Sequence, residues 1–197
     1  MGIQVFRRSS VLVAVVLAVS GCSSTAAPTP TQRANLEGYT VPPLPSTGTF
    51  RPWTDGATAV TYDQSVVPSG STATLTVVPG PHGVEVHLAA AGMVPGRSYG
   101  AHLHTGVCTA VPAAAGPHYQ HIPDPAADAY HPSTDPAYAN PGNEVWLDFT
   151  AGATGTAIAT ATESWTFDAM HPPRSLVIHA AVGMGGARAA CLTLTHP

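Results

Sequence analysis

The sequence predicts an all-β domain of about eight short antiparallel strands, closed as a barrel or stacked as a sandwich. Three observations predict it. Proline (20) and glycine (19) are both well above average usage in 197 residues, which favours frequent turns over helices. Short segments with apolar residues at every second position recur along the chain with turn signals between them. No segment keeps a helical period over ten or more residues, and "PAAAG" and "PAADAYH" are long enough only for single turns.

The chain opens with "FRRSSVLVAVVLAVSGCSS", in which Arg7 and Arg8 precede an apolar run from Val11 to Val19 and a small-residue exit. This is an export signal, too short for a comfortable membrane span. Its end, "VSGC", resembles the bacterial lipoprotein lipobox. That resemblance implies cleavage before Cys22 and lipid attachment to the Cys22 thiol, so residues 1–21 are a signal peptide and the mature chain is anchored to the cell membrane from outside the cytoplasm. The paired arginines leave the export route, Sec or Tat, open. Residues 22–56 are rich in Pro, Ser and Thr without a hydrophobic period and read as a tether, whose far end, with Phe50 and Trp53, can pack on the domain.

Residues 57–197 form the domain. "TAVTYDQSVV" precedes Pro68-Ser69-Gly70, "TATLTVV" precedes Pro79-Gly80, and "GVEVHLAA" precedes Gly92 and Pro95-Gly96. "SYGAHLHT" comes next; after a long irregular region follow "EVWLDFTA", "GTAIATATESWTF", "RSLVIHAAV" and "ARAACLTLT". Each has alternating apolar positions bounded by turn residues, as strands of a sandwich or barrel do.

All seven basic residues are arginine, and without a clustered basic face the chain does not read as a nucleic-acid binder. Removing residues 1–21 takes away two arginines and no acid, so the mature chain is more acidic than the net −4 of the whole. Setting aside Cys22 leaves Cys108 and Cys191. Two free buried thiols are one reading; an oxidising compartment favours a disulfide between them.

Alternation assigns faces. Tyr99, Ala101 and Leu103 share the core side of "YGAHLHT", so His102 and His104 share the opposite face, with Cβ atoms about 7 Å apart. In "SLVIHAA" Leu176, Ile178 and Ala180 look inward and His179 falls opposite. The irregular stretch from Thr109 to Gly142 contains His118, His121 and His131, and a loop this long in a compact domain is functional or disordered. A lone His-x-His is weak evidence of a metal. His82, His87, His171 and His196 have no evident partners and default to the surface.

Taken in order, "AHLH", "AGPHYQH", "LVIHAA" and "ARAAC" resemble the copper/zinc superoxide dismutase family from about Ala57 to the C-terminus. The resemblance implies an eight-stranded Greek-key β-barrel, with His102, His104, His118 and His179 binding copper and the Cys108–Cys191 pair as the disulfide. It implies that Arg188, three residues before Cys191, faces the open copper position and attracts superoxide anion, which is disproportionated to oxygen and hydrogen peroxide. Imidazole suits copper(II), and nitrogen sites favour copper over zinc by intrinsic affinity.

Two departures resemble the copper-only branch of that family. No ligand set for zinc matches cleanly: His121, His131, Asp124, Asp128 and Asp135 are candidates whose spacing does not fit, which leaves zinc undecided. Only "AAVGMGGA" joins His179 to Arg188, where the family usually inserts a long charged loop, so the copper would be open to solvent. Without zinc, the second nitrogen of His118 needs another partner, and Glu144 or a loop aspartate is expected there. A non-enzymatic copper-binding lipoprotein, sequestering or delivering the ion, is the alternative function on the same scaffold. Oligomeric state is not legible.

Overall fold

The computed structural model describes residues 45–195 except Tyr130 and Gly185, together with Gly2. The signal peptide, Cys22, the tether up to residue 44 and His196 lie outside the described residues. Among the described residues, no helix is long and apolar enough to cross a membrane.

Among the described residues, nine strands form two antiparallel sheets: β1 (Ser46–Thr49), β2 (Ala59–Thr61), β3 (Thr72–Gly80), β4 (Gly83–Ala91), β5 (Ser98–His104), β6 (Phe149–Thr150), β7 (Ala157–Glu163), β8 (Ser175–His179) and β9 (Arg188–Thr193). One sheet runs β1-β3-β4-β7 and the other β2-β9-β8-β5-β6. The fold is thus a two-layer sandwich, and the barrel alternative is corrected: the edges of the two sheets are not joined by a continuous ladder. β4 lies beside β7 and β5 beside β8, so the chain crosses between layers in the Greek-key manner.

The inner faces bury Leu75, Val86 and Leu88 of the first sheet against Tyr99, Leu103, Leu176, Ile178 and Leu192 of the second. Tyr99 is fully buried, with its ring 4.9 Å from Phe149, its hydroxyl donating to Val66 O (2.8 Å) and accepting from Val94 N (3.0 Å). A buried phenol needs such partners, and here it ties the β2–β3 and β4–β5 connections to β5.

The other face of the second sheet is also buried. Val60, Val177 and Cys191 project there and pack on Cys108 and Ala115 of the long β5–β6 connection. Cys108 and Cys191 are disulfide-bonded, with Cα atoms 5.6 Å apart and a sequence separation of 83. The bridge presses the start of that connection, including a 3-10 turn at Pro112–Ala115, onto β9. A sheet so covered on both sides explains why β8 and most of β9 read as near-continuous apolar runs.

Three local differences from the sequence reading have physical reasons. β1 falls within 22–56, where Ser and Thr hide a polar edge strand paired to β3. The strand expected over "TAVTYDQSVV" stops at Thr61, where Asp63 turns the chain by accepting from Ser65 N and Oγ. "EVWLDFTA" is a strand only at Phe149–Thr150; before that its contacts are the isolated bridges Gln120↔Glu144 and His102↔Trp146.

Candidate metal centre

Four imidazoles meet on the covered face of the second sheet. β5 supplies His102 and His104, β8 supplies His179, and the long connection supplies His118, held against β5 by the bridge His104↔His118. The register pairs His179 with Gly100, so His179 sits diagonal to His102 on one face. A Cβ on Gly100 would lie 3.3 Å from His179 Cβ and 3.4 Å from His102 Cε1, so the absent side chain leaves room for both rings.

The ring centroids lie close: His102–His118 4.5 Å, His104–His118 4.6 Å, His102–His179 5.0 Å and His104–His179 5.4 Å. One nitrogen each of His102, His118 and His179 fall within 4.8 Å of one another, and His104 Nε2 lies 3.3 Å from His179 Nε2. His102 and His104 are fully buried, whereas His118 and His179 line a pocket of about 480 Å3. The surroundings are therefore less open than the short β8–β9 connection suggests: two of the rings are sealed, and two face a solvent-reaching pocket.

The second nitrogens are committed. His104 Nδ1 lies 3.0 Å from Gly116 O, His179 Nδ1 3.1 Å from Gly186 O, and His118 Nδ1 2.7 Å from Glu144 Oε2. Carbonyls and carboxylates only accept, so each Nδ1 carries the hydrogen and each neutral ring presents a bare Nε2. Asp148 Oδ1 lies 3.0 Å from His102 Nε2 but off the hydrogen-bonding direction, and neither buried ring nitrogen of His102 has a hydrogen-bond partner.

Electrostatics favour the neutral form of His102, His104 and His179. Burial holds His104 well below the usual histidine value and takes His179 down to about 4. Burial also lowers His102, against the opposing pull of Asp148. Burial pushes Glu144 up, but donors from His118, Gln120 and Trp146 outweigh it and hold the carboxylate below its ordinary range. Asp148 is lowered in the same way, with burial opposed by His102 and the Gly183 and Ala101 amides.

Two bare nitrogens 3.3 Å apart in a buried site repel unless a cation shares them, and unpartnered buried imidazole nitrogens are costly. His102, His118 and His179 form a group that fits a metal ion, and His104 lies against it through His179. An all-nitrogen donor set suits copper better than calcium or magnesium.

Arg188 reaches this site through a bulge. In a regular strand, residues three apart face opposite ways, so Arg188 and Cys191 would point to different sides. The ladder slips at the end of β8: Ile178 pairs with Ala190 and His179 with Arg188, leaving Ala189 extra. That extra residue turns Arg188 into the pocket beside His179. Its Nη1 donates to Pro112 O (2.9 Å) and its Nη2 to Gly116 O (2.6 Å). Gly116 O thus anchors both His104 and Arg188; Gly116 itself has φ +70°, and a Cβ there would lie 2.5 Å from Thr105 Oγ1.

The remaining candidates stand apart from the imidazole group, although His121, Asp124 and Asp128 line the same pocket. His121 stacks on Trp165 with centroids 4.8 Å apart, and His131 is exposed and paired with Asp128. Among the described residues, His102, His118 and His179 form the one group of three or more metal-ligating side chains, and neither His121 nor His131 joins it. Asp124 instead accepts from Ser133 Oγ and its carboxylate caps the turn at Ala126.

Asp148, Gln120 and Trp146 were missed by the sequence reading. A signal existed: in "EVWLD", Val145 and Leu147 are core residues, so Glu144, Trp146 and Asp148 share the other face, toward the histidines.

Fold and site together define an all-β sandwich with a buried imidazole group under a disulfide-pinned loop. No protein-family model matches the chain, and no curated protein matches it. Among solved structures, the chain is similar to a double mutant of a SOD-like protein from Bacillus subtilis, with 19% identity over 61% of this chain and 87% of that one, at a TM-score of 0.45. It is also similar to Cu/Zn superoxide dismutase from Brucella abortus, with 22% identity over 61% of this chain and 86% of that one, at a TM-score of 0.37.

Proposed function

We propose that the protein is an exported, lipid-anchored copper-dependent superoxide dismutase. The observation that carries this reading is the paired bare Nε2 atoms of His104 and His179, 3.3 Å apart and buried, beside the unpartnered ring of His102. His102, His104, His118 and His179 hold the ion. Copper held there would supply the one-electron redox chemistry that superoxide disproportionation needs.

The residues around it have separate tasks. Arg188 presents a fixed positive charge at the pocket wall, which draws in an anion and places it beside the ligands. Glu144 keeps the His118 Nδ1 proton in place, so that ring does not turn or change tautomer while charge at the metal changes. Asp148 accepts from Ala101 N (3.0 Å) and Gly183 N (2.6 Å), tying the wall beside His102 to the short β8–β9 connection. The buried Cys108–Cys191 bridge fits a compartment outside the cytoplasm, where the Cys22 anchor would keep the domain. Zinc has no part in this reading, since Glu144 occupies the second nitrogen of His118.

A copper-storage protein is the second reading, and the acidic side chains around the pocket (Asp124, Asp128, Asp168) favour it. Pulse radiolysis of the copper-loaded domain separates the two. Catalytic decay of superoxide far above that of free copper in the presence of chelator supports the enzyme; one bound copper without such decay supports storage.

A further inference from the structure

Trp146 touches one of the four imidazoles directly and reaches a second through a shared carboxylate. Its ring centroid lies 5.1 Å from that of His102 at 47°, and the isolated bridge His102↔Trp146 joins the two backbones. Its Nε1–H donates to Glu144 Oε2 at 2.9 Å, the same oxygen that takes the His118 proton at 2.7 Å. Gln120 Nε2 donates to the other oxygen, Oε1, at 2.9 Å.

With His118 and Gln120 alone, the carboxylate could rock about its last bond and carry His118 with it. The indole fixes a second direction at Oε2, so the plane of the carboxylate, and through it the His118 ring, is set. The face of the same indole limits the tilt of His102. The other tryptophans do not reach this network: Trp53 packs beside the disulfide, and Trp165 donates to Gly142 O and stacks on His121.

We infer that Trp146 is a positioning residue for the metal, coupling His102 on β5 to His118 on the long connection through the Glu144 carboxylate. This rests on the proposed copper site. Trp146 is half-buried, so its replacement leaves most of the core intact. Trp146→Phe keeps a ring beside His102 and removes the N–H; Trp146→Leu removes both.

The test compares wild type and both variants by chelator competition for copper(II), by the copper EPR spectrum, and by metal-free melting temperature. Trp146→Leu is expected to bind copper about 10- to 100-fold more weakly with an altered hyperfine splitting, and Trp146→Phe to fall between it and wild type. Melting temperatures close to wild type would show that the effect is on the site and not on folding. Unchanged affinity and spectrum in either variant that folds overturns the inference. If wild type binds no copper, the reading in the previous subsection fails by itself. The inference is then read in metal-free protein by 15N NMR, where Trp146→Phe must displace the His118 Nδ1 resonance and an unmoved resonance rejects the coupling.

Discussion

Gly116 O accepts from both His104 Nδ1 and Arg188 Nη2, so one carbonyl orients a proposed metal ligand and the guanidinium proposed to meet the anion. Removing the guanidinium should therefore affect substrate more than metal. Arg188→Ala is expected to retain copper, measured by elemental analysis, while kcat/KM for superoxide falls about 10- to 100-fold, the scale of one charge-assisted hydrogen bond. Glu144→Gln acts on the other side. The amide keeps the shape but loses the charge that favours the His118 Nδ1 proton, so copper affinity should drop about 10- to 100-fold in chelator competition. Unchanged copper content and turnover would remove Glu144 from the account. At this scale strand parity and local context marked His102, His104 and His179 in the sequence, and the fold brings their rings together. Trp146 and Asp148 share a parity with Glu144 that was legible, yet their roles depend on which loop covers that face, and no local pattern encodes that. The register of Arg188 looked simple from its distance to Cys191 but works only because Ala189 bulges.

The β5–β6 connection is long, proline-rich and irregular, yet it carries His118, Gln120, Glu144 and Trp146 into one place. Its near end is fastened by Cys108–Cys191, which ties it directly to β9. Replacing both cysteines with serine should cost about 2–4 kcal/mol in urea unfolding. It should also weaken copper binding, because Ala115 and Gly116 would no longer be pressed against β9. β7 supplies a second prediction. Glu163 is buried at the end of that strand opposite Val84, and burial raises its carboxyl to about 7. Its ordinary value is 4.5, so between 4.5 and about 7 the folded chain holds more protons than the unfolded chain, and this group lowers stability as pH rises. Glu163→Gln should therefore raise the melting temperature at pH 8, with the gain shrinking as pH falls through 7 and vanishing below about 4.5. An equal gain at all pH values would mean that ionisation is not the cause. Long alternating strands such as β3 and β4 were readable from sequence. β1 was not, since a four-residue edge of Ser, Thr and Gly has no apolar face of its own.

For the molecule as a whole, the charge balance opposes the proposed substrate. The chain has no lysine and a net charge of −4, and Asp124, Asp128 and Asp168 line the pocket around a single Arg188. Long-range repulsion of superoxide is screened by salt, whereas an attractive funnel loses strength in salt. The superoxide rate of the copper-loaded protein should therefore rise or stay level as ionic strength increases; a steep fall would contradict this picture of the pocket. The two-sheet scaffold, its Greek-key crossing and its stapled loop all serve to bring imidazoles from β5, β8 and the connection to one point. The most direct test of that claim is elemental analysis with copper EPR on the soluble domain, comparing wild type with a His102→Ala/His179→Ala double variant. One copper per chain with nitrogen hyperfine structure, abolished in the double variant, is the predicted result. Undiminished stoichiometry and an unchanged spectrum in the variant would show that the ion binds elsewhere.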